Sequence, residues 1–203
     1  MPEKPDTELA DRMMALRAVN LIGEINRESM TDISNRLLRL QARSSEPIRL
    51  VINSTGGVID AAMTLHDIIF YAMSAPVHAL VIGRCNSAAT FILLSCKVRT
   101  SLPHARFVIH SGTFGASIKI NDVSFAKMPR LLAEMAKSAE EVVSFYAEKL
   151  GKTSDEVKAL MQRGDETYNN EMTTKEALEL GLITDIVHEK VGIFPSPQNK
   201  PNS

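Results

Sequence analysis

Three kinds of side chain that together perform nucleophilic catalysis occur in this chain, two of them beside an apolar run. Ser87 follows a β-branched run and begins an alanine-rich stretch, His110 ends a second apolar run, and the polar loop at 165–170 carries Asp165 and Asn169. A serine hydroxyl, a histidine that removes its proton and a side-chain oxygen that orients the imidazole form a nucleophile, a base and an orienter. Their order along the chain therefore predicts a serine nucleophile.

Each of these residues also has an ordinary structural explanation. Serine is common at helix N-caps, a histidine that ends a strand is usually a satisfied structural side chain, and a polar loop is usually solvated. Two glycine-containing turns, at 53–57 and 83–87, favour the functional interpretation because they can supply backbone N–H donors to an oxyanion. The Lys-Ser/Thr of a phosphate-binding loop does not follow the first turn. We expect neither a cofactor nor a metal.

The elements that must position these residues alternate between strand and helix from 18 to 96. This alternation predicts βαβ units, a mostly parallel sheet and an α/β fold. Strands are predicted at 18–22, 48–52, 77–82, 97–100, 107–110 and 182–187. Helices are predicted after the cap Asn26, at 58–73, after Ser87, at 127–150, from 153 to 162 and from 173 to 180.

Length and composition restrict the class of protein. The 203 residues suffice for one domain, and 44% hydrophobic with 23% charged residues is ordinary for a globular chain. The net charge of −1 predicts no nucleic-acid partner and no anionic membrane surface. Two cysteines form no disulfide framework, and no apolar run approaches the roughly 20 residues that span a bilayer. We expect a soluble, cytoplasmic protein.

Five short motifs carry a resemblance to a known family. They are GEIN at 23–26, INSTGG at 52–57, GRCNS at 83–87, PHARFVIH at 103–110 and EALELGL at 176–182. With their spacings kept over about residues 8–188, they resemble the proteolytic subunit of Clp protease. That subunit is a serine peptidase that works under an AAA+ unfoldase.

The resemblance implies a crotonase-type α/β fold with a protruding handle. It implies a single domain with its head at about 8–111 and 151–190 and its handle at about 112–150, between tails at 1–8 and 191–203 that we expect to be disordered. Family members form heptameric rings, usually stacked face to face, that enclose the serines in a chamber. Unfolded polypeptides fed by an AAA+ ATPase unfoldase are the implied substrates.

The resemblance also implies a role for each site residue. Ser87 would be the nucleophile and His110 the general base, and Asn169 stands where the family has the triad aspartate. The N–H groups of Gly57 and Ala88 would form the oxyanion hole. The substrate backbone would be held as an added strand by five residues: Ser111, Gly112, Thr113, Phe114 and Gly115.

Several alternatives stay open at this point. Asp165 competes with Asn169 as the orienter of the histidine, because it lies in the same predicted loop. Tyr168 replaces an arginine that helps ring–ring contacts in the family, so the assembly is a homomeric ring of seven, two stacked rings, or a mixed barrel with a paralogue. The chain is either an active peptidase or a catalytically weak or inactive subunit that completes a mixed ring. An acyl-CoA enzyme of the crotonase fold is a third hypothesis, although no CoA site is evident.

Overall fold

The computed structural model describes residues 13–111, 128–165, 171–190 and 192. Within it the chain divides into two compact units, one formed by Met1–Phe107 with Met172–Ser203 and the other by Val108–Glu171. The predicted tails lie outside the described residues, apart from 192, and so does the first part of the predicted handle.

A mostly parallel sheet forms the framework of the first unit. Its strands are β1 (Ala18–Ile25), β2 (Ile48–Gly57), β3 (Val77–Asn86), β4 (Val98–Ser101), β5 (Arg106–Val108) and β6 (Asp185–Ile186). The spatial order is β1-β2-β3-β4-β6, with β5 paired to β3, and the four ladders along that path are parallel. The predicted α/β fold with a mostly parallel sheet is confirmed.

Residues 13–15 are helical, and six further α-helices lie in the described ranges. They are α1 (Arg27–Arg43), α2 (Ile59–Asp67), α3 (Ala88–Leu94), α4 (Met128–Leu150), α5 (Ser154–Asp165) and α6 (Thr174–Glu179). Asn26 caps α1 as predicted, since its side chain accepts the N–H of Ser29 while the Ser29 hydroxyl accepts the N–H of Asn26. All seven residues of α3 are buried, in agreement with the apolar run that predicted it. No helix in the described ranges is long and apolar enough to cross a membrane.

The strands that lead to the predicted site are longer than the sequence predicts. The glycine-containing stretch 53–57, predicted as a turn, stays within β2, because Gly57 pairs with Ile25 of β1. In the same way β3 runs beyond the predicted end at 82, because Cys85 pairs with Ser54 of β2. Pairing with the neighbouring strands satisfies the backbone N–H and C=O groups of these residues. This pairing overrides their local preference for a turn.

Other element boundaries also differ from the predictions. The helix predicted at 58–73 is α2 followed by a π-helical segment, Ile68–Ala72, and α5 continues to Asp165 instead of ending at 162. Asp165, predicted in a loop, therefore lies in a helix. The predicted strand 182–187 is reduced to β6, because the N–H groups of Leu182 and Ile183 donate to the carbonyl of Ala177 at the end of α6.

Candidate active site

Ser87 occupies a strained turn between β3 and α3. Its backbone has φ 53° and ψ −126°, a conformation that a residue with a Cβ rarely adopts and that costs free energy. Although Ser87 stands at the N-cap position, its side chain makes no capping hydrogen bond. The N–H and the hydroxyl of Thr90 both donate to the Ser87 carbonyl, at 2.9 and 2.7 Å. The side chain thus does not serve as a helix cap, and the turn is held through its carbonyl.

The end of β2 lies directly against this turn. A Cβ built on Gly56 would lie 2.7 Å from the Cβ of Ser87 and 3.0 Å from the backbone N of Ala88. Gly56 also has φ +96°, which glycine adopts without strain. Only glycine at this position permits so close an approach to the serine.

Two polar side chains of β2 form hydrogen bonds that hold the end of this strand close to the turn at Ser87. The Ser54 hydroxyl donates to the Gly23 carbonyl at 2.6 Å and accepts the Gly56 N–H at 3.1 Å. The Asn53 Oδ1 accepts the N–H of Arg84 at 2.9 Å, which ties β2 to the segment just before Ser87. The two glycine-containing stretches are therefore joined by the hydrogen bond between Asn53 and Arg84.

Two backbone N–H groups beside the serine are candidate oxyanion donors. The N–H of Val58 donates to the Ile25 carbonyl at 2.8 Å, and Gly57 is the residue opposite Ile25. In a parallel ladder this pattern directs the N–H of Gly57 away from β1, toward the β3 side of the strand. Ala88 is the first residue of α3, so its N–H has no acceptor within the helix. Both positions suit the predicted role.

His110 belongs to the second unit and follows β5 by two residues. Its side chain is 27% exposed. The last turn of α5 lies against its backbone, because a Cβ on Gly164 would overlap the Ile109 carbonyl oxygen and lie 3.1 Å from the His110 Cβ. Glycine is therefore needed at 164 for the helix to approach the histidine this closely.

Asp165, the next residue of α5, contacts the segment that carries His110. Its Oδ1 lies 3.6 Å from His110 Nδ1 and accepts the N–H of Ser111 at 3.2 Å. Its Oδ2 accepts the Ser111 hydroxyl at 2.5 Å. The competing orienter named from the sequence thus lies beside the predicted base, while Asn169 falls outside the described residues.

The predicted site residues divide between the two units and the part of the chain that is not described. Gly57, Ser87 and Ala88 are in the first unit, and His110 and Ser111 in the second. Those outside the described residues are Gly112, Thr113, Phe114, Gly115 and Asn169. Sequence reasoning missed the contacts of Gly56 and Gly164. A glycine two residues after the predicted helix end at 162, directly before an aspartate, was the available signal for the second.

Other chemistry near the serine receives no support from the described residues. Cys85 and Cys96 are buried and free, and burial raises the pKa of the Cys85 thiol well above its usual range. Because the thiolate is the nucleophilic form, Cys85 does not compete with Ser87 as a nucleophile. Within the described ranges no group of three or more His, Cys, Asp or Glu side chains could hold a metal ion.

Comparisons with known proteins show the family of this chain. The family model for Clp protease matches residues 3–190. The chain is 30% identical over 187 residues to the ATP-dependent Clp protease proteolytic subunit 2 of Gluconobacter oxydans, covering 91% of this chain and 79% of that protein. It is 31% identical over 194 residues to the protein of the same name from Treponema denticola, covering 93% and 90%.

Solved structures of ClpP1 also match the fold of this chain. ClpP1 from Listeria monocytogenes matches with a TM-score of 0.73 and 28% identity over 91% of this chain and 99% of that one. An asparagine-to-aspartate mutant of the same protein matches with a TM-score of 0.75 and 27% identity, with the same coverage. By the family model and by its curated relatives, the chain belongs to the Clp protease family.

Proposed function

We propose that this chain is a serine endopeptidase subunit of a Clp-type compartmentalised protease and that Ser87 is its nucleophile. Membership of the Clp protease family indicates a serine peptidase. The observation that carries the assignment to Ser87 is its strained turn, with φ 53° and with Gly56 packed against its Cβ. Strained backbone conformations of this kind persist where the surrounding structure enforces them, and they concentrate at active sites.

The proposed reaction is peptide-bond hydrolysis through an acyl-enzyme. Ser87 Oγ attacks the carbonyl carbon of the scissile peptide while His110 takes the hydroxyl proton. The N–H groups of Gly57 and Ala88 stabilise the oxyanion, and His110 then gives the proton to the leaving amine. Water, deprotonated by His110, hydrolyses the ester and restores the serine.

Asn169 is the residue that the family resemblance assigns as third member of the triad. Its side-chain oxygen can accept a hydrogen bond from the imidazole and so hold the tautomer, as asparagine does in Cys-His-Asn peptidases. It carries no charge, so it cannot stabilise the imidazolium as a carboxylate does. We therefore propose a Ser-His-Asn arrangement whose rate is limited by the neutral orienter.

Assembly into a ring is part of the proposal. The relatives are named as subunits of an ATP-dependent protease, which supports an oligomer that an AAA+ ATPase supplies with unfolded polypeptide. Leu132, on α4 of the predicted handle, is 59% exposed, and such apolar surface suits contacts between subunits. We propose rings of seven, homomeric or mixed with a paralogue. Native mass spectrometry tests this, and a monodisperse monomer at micromolar concentration would refute it.

Covalent labelling with a serine-directed fluorophosphonate tests the nucleophile. We expect the wild-type chain to be labelled at Ser87, and the Ser87→Ala variant to lose both labelling and peptide hydrolysis while keeping its fold. Ser144→Ala, which removes an exposed hydroxyl from α4, is the matched control and should leave labelling unchanged. Labelling of Ser87→Ala at the wild-type level would refute the assignment.

A catalytically weak subunit of a mixed ring is the second candidate function. In the second unit the Asp165 carboxylate is engaged by Ser111, and its 3.6 Å separation from His110 Nδ1 exceeds a hydrogen bond. This candidate predicts an unlabelled chain alone and labelling of Ser87 only after mixing with an active paralogue. The Clp family match disfavours the acyl-CoA hypothesis.

A further inference from the structure

The C-terminal end of α5 reaches the histidine segment through two consecutive residues. Gly164 allows the contact, because any Cβ there would overlap the Ile109 carbonyl oxygen. Asp165 then points its carboxylate at the chain immediately after β5, where it meets His110 and Ser111. These contacts join positions 54 residues apart in sequence.

Ser111 anchors the Asp165 carboxylate at both of its oxygens. The Ser111 hydroxyl donates a hydrogen bond to Oδ2 at 2.5 Å, and the Ser111 backbone N–H donates one to Oδ1 at 3.2 Å. A carboxylate oxygen accepts more than one hydrogen bond, so Oδ1 can also receive the His110 Nδ1 proton. From 3.6 Å, a side-chain movement of about 0.6 Å brings Nδ1 to ordinary hydrogen-bond distance.

We propose that Asp165 is the positioning residue for His110. Its carboxylate, fixed by Ser111, lies on the Nδ1 side of the imidazole and supplies part of the negative charge that the neutral Asn169 lacks. When His110 receives the Ser87 proton, the imidazolium forms 3.6 Å from this carboxylate and is stabilised by it. The proposal rests on the proposed role of His110 as the general base. It assigns the negative charge that stabilises the imidazolium to a residue of the second unit.

Steady-state kinetics of peptide hydrolysis test the role of the charge. Asp165→Asn keeps the size of the side chain and removes its charge, so we expect kcat to fall about 10-fold, a part of the roughly 10²–10⁴-fold that general-base catalysis supplies, and KM to change less than about 2-fold. Ser111→Ala removes the hydroxyl anchor and keeps the charge, so its kcat should fall less. Asp155→Asn, the same change at an exposed position in the first turn of α5, is the control and should retain wild-type kcat.

A loss of kcat in Asp165→Asn that is accompanied by a lower melting temperature or a dissociated ring would mean a structural role and overturn the proposal. An unchanged kcat in Asp165→Asn would overturn it as well. Gly164→Ala should reduce kcat with Asp165 intact, because it displaces the helix end. Gly192→Ala, where a Cβ meets nothing within 4 Å, is its control.

A second measurement, ¹⁵N NMR of the histidine side chains, does not depend on peptidase activity. In protein labelled with ¹⁵N-histidine, five histidines contribute signals, and the His110→Gln variant identifies the one of interest. We expect the proton of neutral His110 to reside on Nδ1 in the wild type and to redistribute toward Nε2 in Asp165→Ala. Identical His110 signals in the two proteins would overturn the proposal.

The two measurements separate this inference from the proposed function. If fluorophosphonate fails to label the wild type while the His110 tautomer still depends on Asp165, the proposed peptidase activity fails and the positioning stands. If the wild type is labelled but neither kcat nor the tautomer responds to position 165, the peptidase stands and Asp165 is not its positioning residue.

Discussion

The Cβ position of Gly56 falls 2.7 Å from the Cβ of Ser87, so the end of β2 touches the turn at Ser87. This contact involves no side chain at position 56, which makes it sensitive to a single methyl group. Any larger residue there must displace either the serine or the backbone of β2.

Gly56→Ala is therefore expected to abolish fluorophosphonate labelling of Ser87. Gly23→Ala is a matched control, because Gly23 has a similar φ of +91° but no atom within 4 Å of its Cβ position. Both variants should lose roughly 1–3 kcal/mol of stability from the backbone conformation alone. Denaturant melts and labelling rates test this. Loss of labelling in both variants, or in neither, would contradict a specific contact with the serine.

Ser87→Gly should be more stable than Ser87→Ala, although we expect neither variant to hydrolyse peptides. Glycine adopts φ 53° and ψ −126° without a Cβ clash, whereas alanine retains the strain. Glycine loses more backbone entropy on folding, so we expect a net gain of about 1 kcal/mol or less. Urea unfolding of the two variants measures the difference. A less stable glycine variant would show that the turn stores no strain.

Alkaline pH should weaken the fold through its two buried thiols. Burial raises the pKa of Cys96 to about 12 and the pKa of Cys85 well above its usual range. In the unfolded chain both ionise near pH 8.5, so their contribution to stability is complete below that pH and is lost as the pH rises above it. By pH 10 the loss should be about 2 kcal/mol for each thiol.

The test compares urea unfolding at pH 7.5 and pH 10 for the wild type and a Cys85→Ala/Cys96→Ala double variant. The variant is less stable at pH 7.5 because it loses buried volume, and its deficit should shrink at pH 10. A deficit that is equal at both pH values would show that the thiols ionise in the folded protein. Iodoacetamide at pH 8.5 should also modify the thiols only after unfolding.

Asn169→Asp should increase the rate of peptide hydrolysis. A carboxylate at the position of the family's triad aspartate would stabilise the imidazolium, and we expect a gain of about 10- to 100-fold in kcat, part of the range of general-base catalysis. Asn170→Asp is the matched control, since it adds the same charge one residue later. If Asn169→Ala leaves hydrolysis unchanged while Asp165→Ala removes it, the orienter is Asp165 and the assignment of Asn169 is wrong.

The sequence by itself determined the class of fold and the order of the elements. Asn26 caps its helix, and apolar residues follow it at helical spacing. Such signals act over one or two helical turns, so the helix can be predicted from a short stretch of sequence. The serine and histidine could also be named in advance, because the motifs around Ser87 and His110 are contiguous in sequence. The ends of β2 and β3 could not be predicted, because Gly57 and Cys85 are held in strands by partners on other strands.

Only the tertiary structure decided how the candidate groups are placed. The φ of Ser87 is positive although serine disfavours that region, because β2, brought there by the sheet, enforces the turn. Asp165 reaches Ser111 across 54 residues because Gly164 lets α5 pack on the backbone before His110. Contacts between residues so distant in sequence leave no local pattern, because they arise from packing.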